Sequence, residues 1–79
     1  MEQTLKAVIS EVTGIHPREI EDNVTFEELQ IDSLDLVDIV MELEELYDIQ
    51  INDQEFEYVE HTTFLQISNF LKEKAGLKN

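Results

Sequence analysis

Seventy-nine residues make one small domain, residues 1–79, which buries only roughly 60% of the surface its unfolded chain exposes and leaves little room for an elaborate active-site cleft. With no cysteine there is no disulfide, thiolate nucleophile or thiolate metal site. No apolar run approaches the roughly 20 residues of a membrane span and residues 1–10 lack a signal peptide's build, so the chain reads as soluble and cytoplasmic. Five Lys and Arg against 19 Asp and Glu give a net charge of −14, which repels nucleic acid and anionic membrane and calls for partners with a basic surface.

Leu5, Val8, Ile9 and Val12 stand at i, i+3, i+4 and i+7, the stripe of a core-facing helix, and Gly14 is placed to end it. Residues 15–32 break the pattern. His16-Pro17 predicts a turn or a helix start with proline at its first position, and Thr25-x-x-Glu28 can cap one short turn. Ile20, Val24, Phe26 and Leu29 give this long loop apolar anchors, and loops of such length are often functional. The strongest helix follows, from about Ser33 to Tyr47, with Asp32 placed to cap its first turn.

Ile49 and Ile51 alternate with polar residues, but a strand without a partner does not form a sheet, so the reading is a connector and then a short helix near residues 53–58. Thr63-x-x-Gln66 matches a capping box opening a last helix. Phe64, Ile67, Phe70 and Leu71 share one face of it, and it frays among Lys72, Lys74 and Gly76. The expected architecture is all-α, a small four-helix bundle of three longer helices and one short one with a long loop after the first.

Projected at 100° per residue from Ser33, the second helix carries more apolar residues than one buried stripe needs. Leu36, Ile39, Val40, Leu43, Leu46 and Tyr47 fall within roughly 220 to 340°, the core face; Leu34, Val37 and Met41 fall at roughly 40 to 100°. Asp38 and Glu45 lie on one flank of that second strip and Glu44 and Asp48 on the other. Two readings stay open at this point: the strip docks onto a partner with an apolar groove and a basic rim, or it packs against a neighbouring helix or the long loop. No Lys or Arg occurs from Glu19 to Leu71, so the acidity is concentrated around this helix.

Ser33 sits in the first turn, where free backbone N–H groups and the helix dipole favour an anion such as a phosphodiester, although a serine there is most often just a cap. Asp32 and Asp35 bring carboxylates close. A nucleophilic serine needs a positioned base, and the two histidines, His16 and His61, read as solvent-facing or turn residues. Asp32-Ser33-Leu34-Asp35 continues into a helical pattern without the glycine turn of an EF-hand loop, so no metal site follows. The chain does not read as an enzyme.

The stretch Phe26-Glu-Glu-Leu-Gln-Ile-Asp-Ser-Leu-Asp35, continuing Leu36-Val-Asp-Ile-Val-Met-Glu-Leu-Glu-Glu45, resembles the phosphopantetheine attachment region of acyl carrier proteins. Tyr47-Asp-Ile-Gln-Ile51 and Thr62-Thr63 before the final apolar helix are similar as well, so the resemblance covers nearly the whole chain. It implies that Ser33 bears a 4′-phosphopantetheine arm delivered from coenzyme A by a phosphopantetheinyl transferase, that acyl groups ride on the arm as thioesters, and that the bundle interior shelters them. It also implies partner docking by Asp32, Leu34, Asp35, Val37, Asp38, Met41, Glu44 and Glu45 to acyl-transferring and condensing enzymes of fatty acid, polyketide or related lipid biosynthesis, by a monomer. Three departures stand out: Gln30 where glycine is frequent, Leu46 where another acid is frequent, and Glu60-His61 lengthening the approach to Thr62. From charge alone, an unmodified acidic adaptor binding a basic protein surface is the competing function.

Overall fold

The computed structural model describes residues 1–76 as four α-helices, α1 (Glu2–Thr13), α2 (Ser33–Tyr47), α3 (Asp53–His61) and α4 (Phe64–Lys74), with one 3₁₀ turn at Pro17–Glu19. Among the described residues there is no strand, only an isolated antiparallel bridge between Thr25 and Thr63. Residues 77–79 of the expected domain lie outside the described residues.

Local chemistry sets most of the helix ends, although α1 starts after Met1 without a side-chain cap. Gly14 closes α1 in the left-handed conformation at φ 80°, its N–H bonded to the Ser10 carbonyl, a backbone position that a side chain would strain. Thr63 and Gln66 form the expected capping box at α4. Asn52 and Glu55 form another at α3, a pairing that the Asn-x-x-Glu spacing carried but that the sequence reading left unused. The 3₁₀ turn has Pro17 at its first position, and His16 Nδ1 accepts the Arg18 N–H at 3.1 Å.

The core joins α1, α2 and α4. Leu5, Val8 and Ile9 of α1 meet Leu36, Ile39, Val40 and Leu43 of α2 and Phe64, Ile67 and Leu71 of α4, with Val59 from α3; α1 packs against both α2 and α4. Ile20 and Phe26 of the long loop are as buried as any helix residue, and Val24 and Leu29 pack alongside. The Cα radius of gyration, 11.3 Å, matches the about 11–12 Å of a folded chain this long, so the loop lies down on the bundle.

Two expectations need correction. The short helix does not stop at Tyr58 but runs three residues further, to His61: no glycine or proline interrupts it, and the extra turn brings Val59 into the core at 2% exposure. Leu46 is not a core residue; it is 54% exposed. Its projected angle lay at the very edge of the apolar arc, beside Asp35 and Glu42, and the interior closes before reaching it.

Candidate functional site: the start and outer face of α2

The cap of α2 is Asp32, not Ser33. Asp32 is extended (φ −81°, ψ 173°) and its Oδ1 accepts the Asp35 N–H at 2.9 Å, while its carbonyl takes the Leu36 N–H at 3.0 Å. Ser33 is therefore the first helical residue, and it is exposed. Its hydroxyl is not engaged as the cap, and the N–H groups of the first turn that Asp32 does not reach point outward with the positive end of the helix dipole.

The run-in to Ser33 is fixed rather than slack. Thr25 and Glu28 bond each other reciprocally: Glu28 Oε1 accepts the Thr25 N–H at 2.9 Å and Thr25 Oγ1 accepts the Glu28 N–H at 3.1 Å. Ile31 N–H returns to the Phe26 carbonyl at 3.0 Å, and Gln30 between them takes φ 60°. That left-handed conformation gives a physical reason for glycine's frequency at this position in the carriers the sequence resembles. Further back, the N–H groups of Phe64 and Leu65 bond the carbonyls of Val24 (2.7 Å) and Asp22 (2.9 Å), clasping the loop to the start of α4.

The outer strip of α2 faces solvent. Leu34 is 77%, Val37 41% and Met41 60% exposed, so no helix or loop covers the strip, which removes the reading that it packs against a neighbouring helix or the long loop. Asp38 and Glu45 beside it are exposed, and Asp35 is half-buried. Glu44 is less free than its position in the sequence indicates: it is half-buried, and its Oε2 accepts the Ile51 N–H at 2.7 Å, tying the segment after α2 back onto the helix. Met41 and Glu45 also border an open groove whose far side is Ile51, Asn52, Glu55 and Lys74.

On the other side of Ser33 lies a smaller, more enclosed cavity of about 120 Å³ lined by Phe26, Glu27, Ile31, Leu36, Glu60 and His61. Sequence reasoning missed it, although the unusual Glu60-His61 pair was a signal. Among the described residues no three His, Asp or Glu side chains are grouped to hold a metal ion. His16 is engaged at the 3₁₀ turn, and His61 Nε2 lies 3.7 Å from Glu60. No helix among the described residues is long and apolar enough to cross a membrane.

An exposed hydroxyl on the first residue of a helix whose cap is supplied next door, with unspent N–H groups around it, suits a covalently held phosphodiester. A family model described as the phosphopantetheine attachment site matches residues 3–71, from the first turn of α1 to the last buried residue of α4. The match favours a carrier over the unmodified adaptor that charge alone allowed, and the group it brings, covalent 4′-phosphopantetheine, is of the kind that the start of α2 fits. With nearly its whole length matched, the chain belongs to the phosphopantetheine attachment site family, as a carrier and not a catalyst.

Proposed function

We propose that Ser33 is the residue that bears the arm, and that the chain tethers acyl intermediates and hands them to acyl-transferring and condensing enzymes. One observation supports this above the rest: Asp32 performs the capping, which leaves the Ser33 hydroxyl exposed and uncommitted at the positive end of α2. The arm supplies the thiol that this cysteine-free chain lacks, and with it a thioester linkage for the cargo.

The protein's own residues do the rest. The first-turn N–H groups at Ser33 offset the charge of the diester. Leu34, Val37 and Met41 form the apolar centre of the docking face, and Asp32, Asp35, Asp38, Glu44 and Glu45 form its acidic rim. The rim steers encounter with a basic partner, while the apolar strip fixes the pose once water is expelled. The first such partner is the phosphopantetheinyl transferase that draws on coenzyme A; the later ones belong to fatty acid, polyketide or related lipid biosynthesis in the cytoplasm, served by a monomeric carrier of a single domain.

Intact mass after incubation with coenzyme A and a promiscuous phosphopantetheinyl transferase tests the assignment. The parent is expected to gain one phosphopantetheinyl group and Ser33→Ala none, with the variant's circular dichroism and urea midpoint close to the parent's because the cap is retained. Arm transfer to Ser33→Ala, or none to the parent, overturns attachment at Ser33.

A further inference from the structure

Met41 and Glu45 belong to two surfaces at once. They edge the outer strip of α2, and they also border the open groove that runs from the last turns of α2 to the start of α3 and the end of α4. A partner settled on Leu34, Val37 and Met41 therefore has this groove beside it. The groove suits a side chain that is long, apolar along its stem and cationic at its tip. Its floor is apolar: Met41 is exposed, while Ile49 and Ile51 are half-buried and pack against the core. The bond from the Ile51 N–H to Glu44 Oε2, 2.7 Å, holds that floor in place without any partner. Its walls are acidic, with Glu44 and Glu45 on the α2 side, Glu55 on the other, and Lys74 as the one cation facing these three carboxylates.

Lys74 shows what the acidic wall holds. Its Nζ donates to Glu55 Oε2 at 2.8 Å, and Glu55 Oε1 is taken by the Asn52 N–H at 3.0 Å. Both side chains of the ion pair are about a quarter exposed, and a pair this open to water is weak. An ammonium is a point charge on a flexible stem. A guanidinium is a planar fork that grips carboxylates through two donors at once, and its stem lies well on apolar surface.

Resting on the reading of α2 as a docking face, we propose that the groove seats an arginine of the docked basic protein, whose stem covers Met41 and Ile51 and whose guanidinium displaces Lys74 from Glu55, with Glu45 beside it. Lys74 is then a competitor carried by the chain itself. It occupies the seat until a better-fitting cation arrives, so partners that offer arginine are favoured over partners that offer lysine, which only exchange one ammonium for another. The displaced ammonium has somewhere to go: Glu55 and Lys74 also border a recess with Phe70 and Glu73, a ring and a carboxylate that both attract a cation.

The test titrates the full isotope-labelled chain, at fixed ionic strength, with the capped peptide Leu-Arg-Arg-Leu and its twin Leu-Lys-Lys-Leu, and follows backbone amides and the Lys74 side chain by NMR. The arginine peptide is expected to shift Ile51, Glu55 and the Lys74 side chain together with Leu34 and Val37. It should bind about fivefold more tightly than its twin, the upper end of what a partly exposed ion pair supplies. Lys74→Met keeps the apolar stem and removes the competitor, and should strengthen the arginine peptide by about the same factor. Lys72→Met makes the same change of net charge on the same helix outside the groove, and should strengthen it less than about twofold. Glu55→Gln should erase the lead of arginine over lysine, with circular dichroism checking that each variant is folded. Equal affinity for the two peptides, equal effects of Lys74→Met and Lys72→Met, or a lead indifferent to Glu55→Gln overturns the proposal. Shifts at Leu34 and Val37 with none at Ile51, Glu55 and Lys74 also overturn it while keeping the docking face, whereas no shift at either place removes the docking reading and this inference together.

Discussion

In α4, four of eleven residues are buried on one face, a capping box opens the helix, and Lys72 and Lys74 close its last turn, where cations complement the helix dipole. In α2, four of fifteen residues are buried, three apolar residues face water on the opposite side, and the last turn holds Glu44 and Glu45 with no base before Asp48. Carboxylates at a helix C-terminus oppose the dipole by about 0.3–1 kcal/mol each, and exposed Leu34, Val37 and Met41 bury less surface than the core residues on the other side. The charges of α4 favour its own stability. Those in the last turn of α2 do not, although Asp32 and Asp35 favour its first turn, and this imbalance agrees with the proposal that its outer face serves a partner.

The sharpest way to break this contrast is to cut into each helix. Phe64 and Ile67 are fully buried, and truncating either to alanine is expected to cost about 3–5 kcal/mol for the aromatic and about 2–5 for the aliphatic side chain, most of the stability of a domain this small. Urea unfolding of Phe64→Ala reads the effect directly. A loss under 1 kcal/mol would mean that α4 is no more structural than α2.

On the outer face of α2 the expectation reverses. Val37→Ala with Met41→Ala should move unfolding free energy by no more than about 0.5 kcal/mol but weaken binding to a phosphopantetheinyl transferase about tenfold, as removal of apolar anchors at the centre of an interface does. Surface plasmon resonance with the unloaded chain measures it. Unchanged affinity would leave the exposed strip without a role and the contrast with only its stability half.

Where the sequence was legible, the signals were local. The cap at Asp32, the Thr25–Glu28 and Thr63–Gln66 pairs, the stop at Gly14 and the two-sided pattern of α2 all rest on contacts within four residues or on one helix's periodicity, and the structure has each of them. What escaped depends on packing between distant segments. Leu46 was misjudged because a projection does not know where the neighbouring helices end. The tie from Glu44 to Ile51 and the cavity that gathers Phe26, Leu36 and His61 join residues that no pattern connects. Of the proposed site, then, Ser33 and its strip could be read in advance, but the cavity beside them could not.

The ion pair between α3 and α4 sharpens the contrast from a third side. Lys74 Nζ donates to Glu55 Oε2 at 2.8 Å, with both side chains about a quarter exposed. That bond chiefly, together with the Asn52 N–H on the other oxygen, holds the Glu55 carboxyl below its ordinary value of 4.5. The folded state therefore binds this proton more weakly than the unfolded chain. Its contribution to stability is full above the ordinary value and is lost as pH falls through the lowered one. Glu55→Gln keeps an acceptor for the capping box and removes the charge. The parent should exceed it by at most about 1 kcal/mol at pH 7, and the gap in urea unfolding should shrink as pH drops below 4.5. A gap that stays constant would show that the pair adds nothing and that α4 lacks the electrostatic advantage assigned to it.

The smallest expected effect lies at the approach to α2. Gln30 is held at φ 60°, where a side chain with a Cβ is disfavoured by roughly 1–2 kcal/mol. Glycine relieves that strain, but it also gives the unfolded chain more freedom, which takes back roughly 0.5–1 kcal/mol. Gln30→Gly should therefore stabilise by no more than about 1 kcal/mol, since the two terms nearly cancel, and raise Tm by a few degrees without altering transfer of the arm. If it destabilises instead, the turn from Phe26 to Ile31 gains more from the glutamine side chain than it loses in backbone strain, and the approach to Ser33 belongs with α4 among the parts shaped for stability.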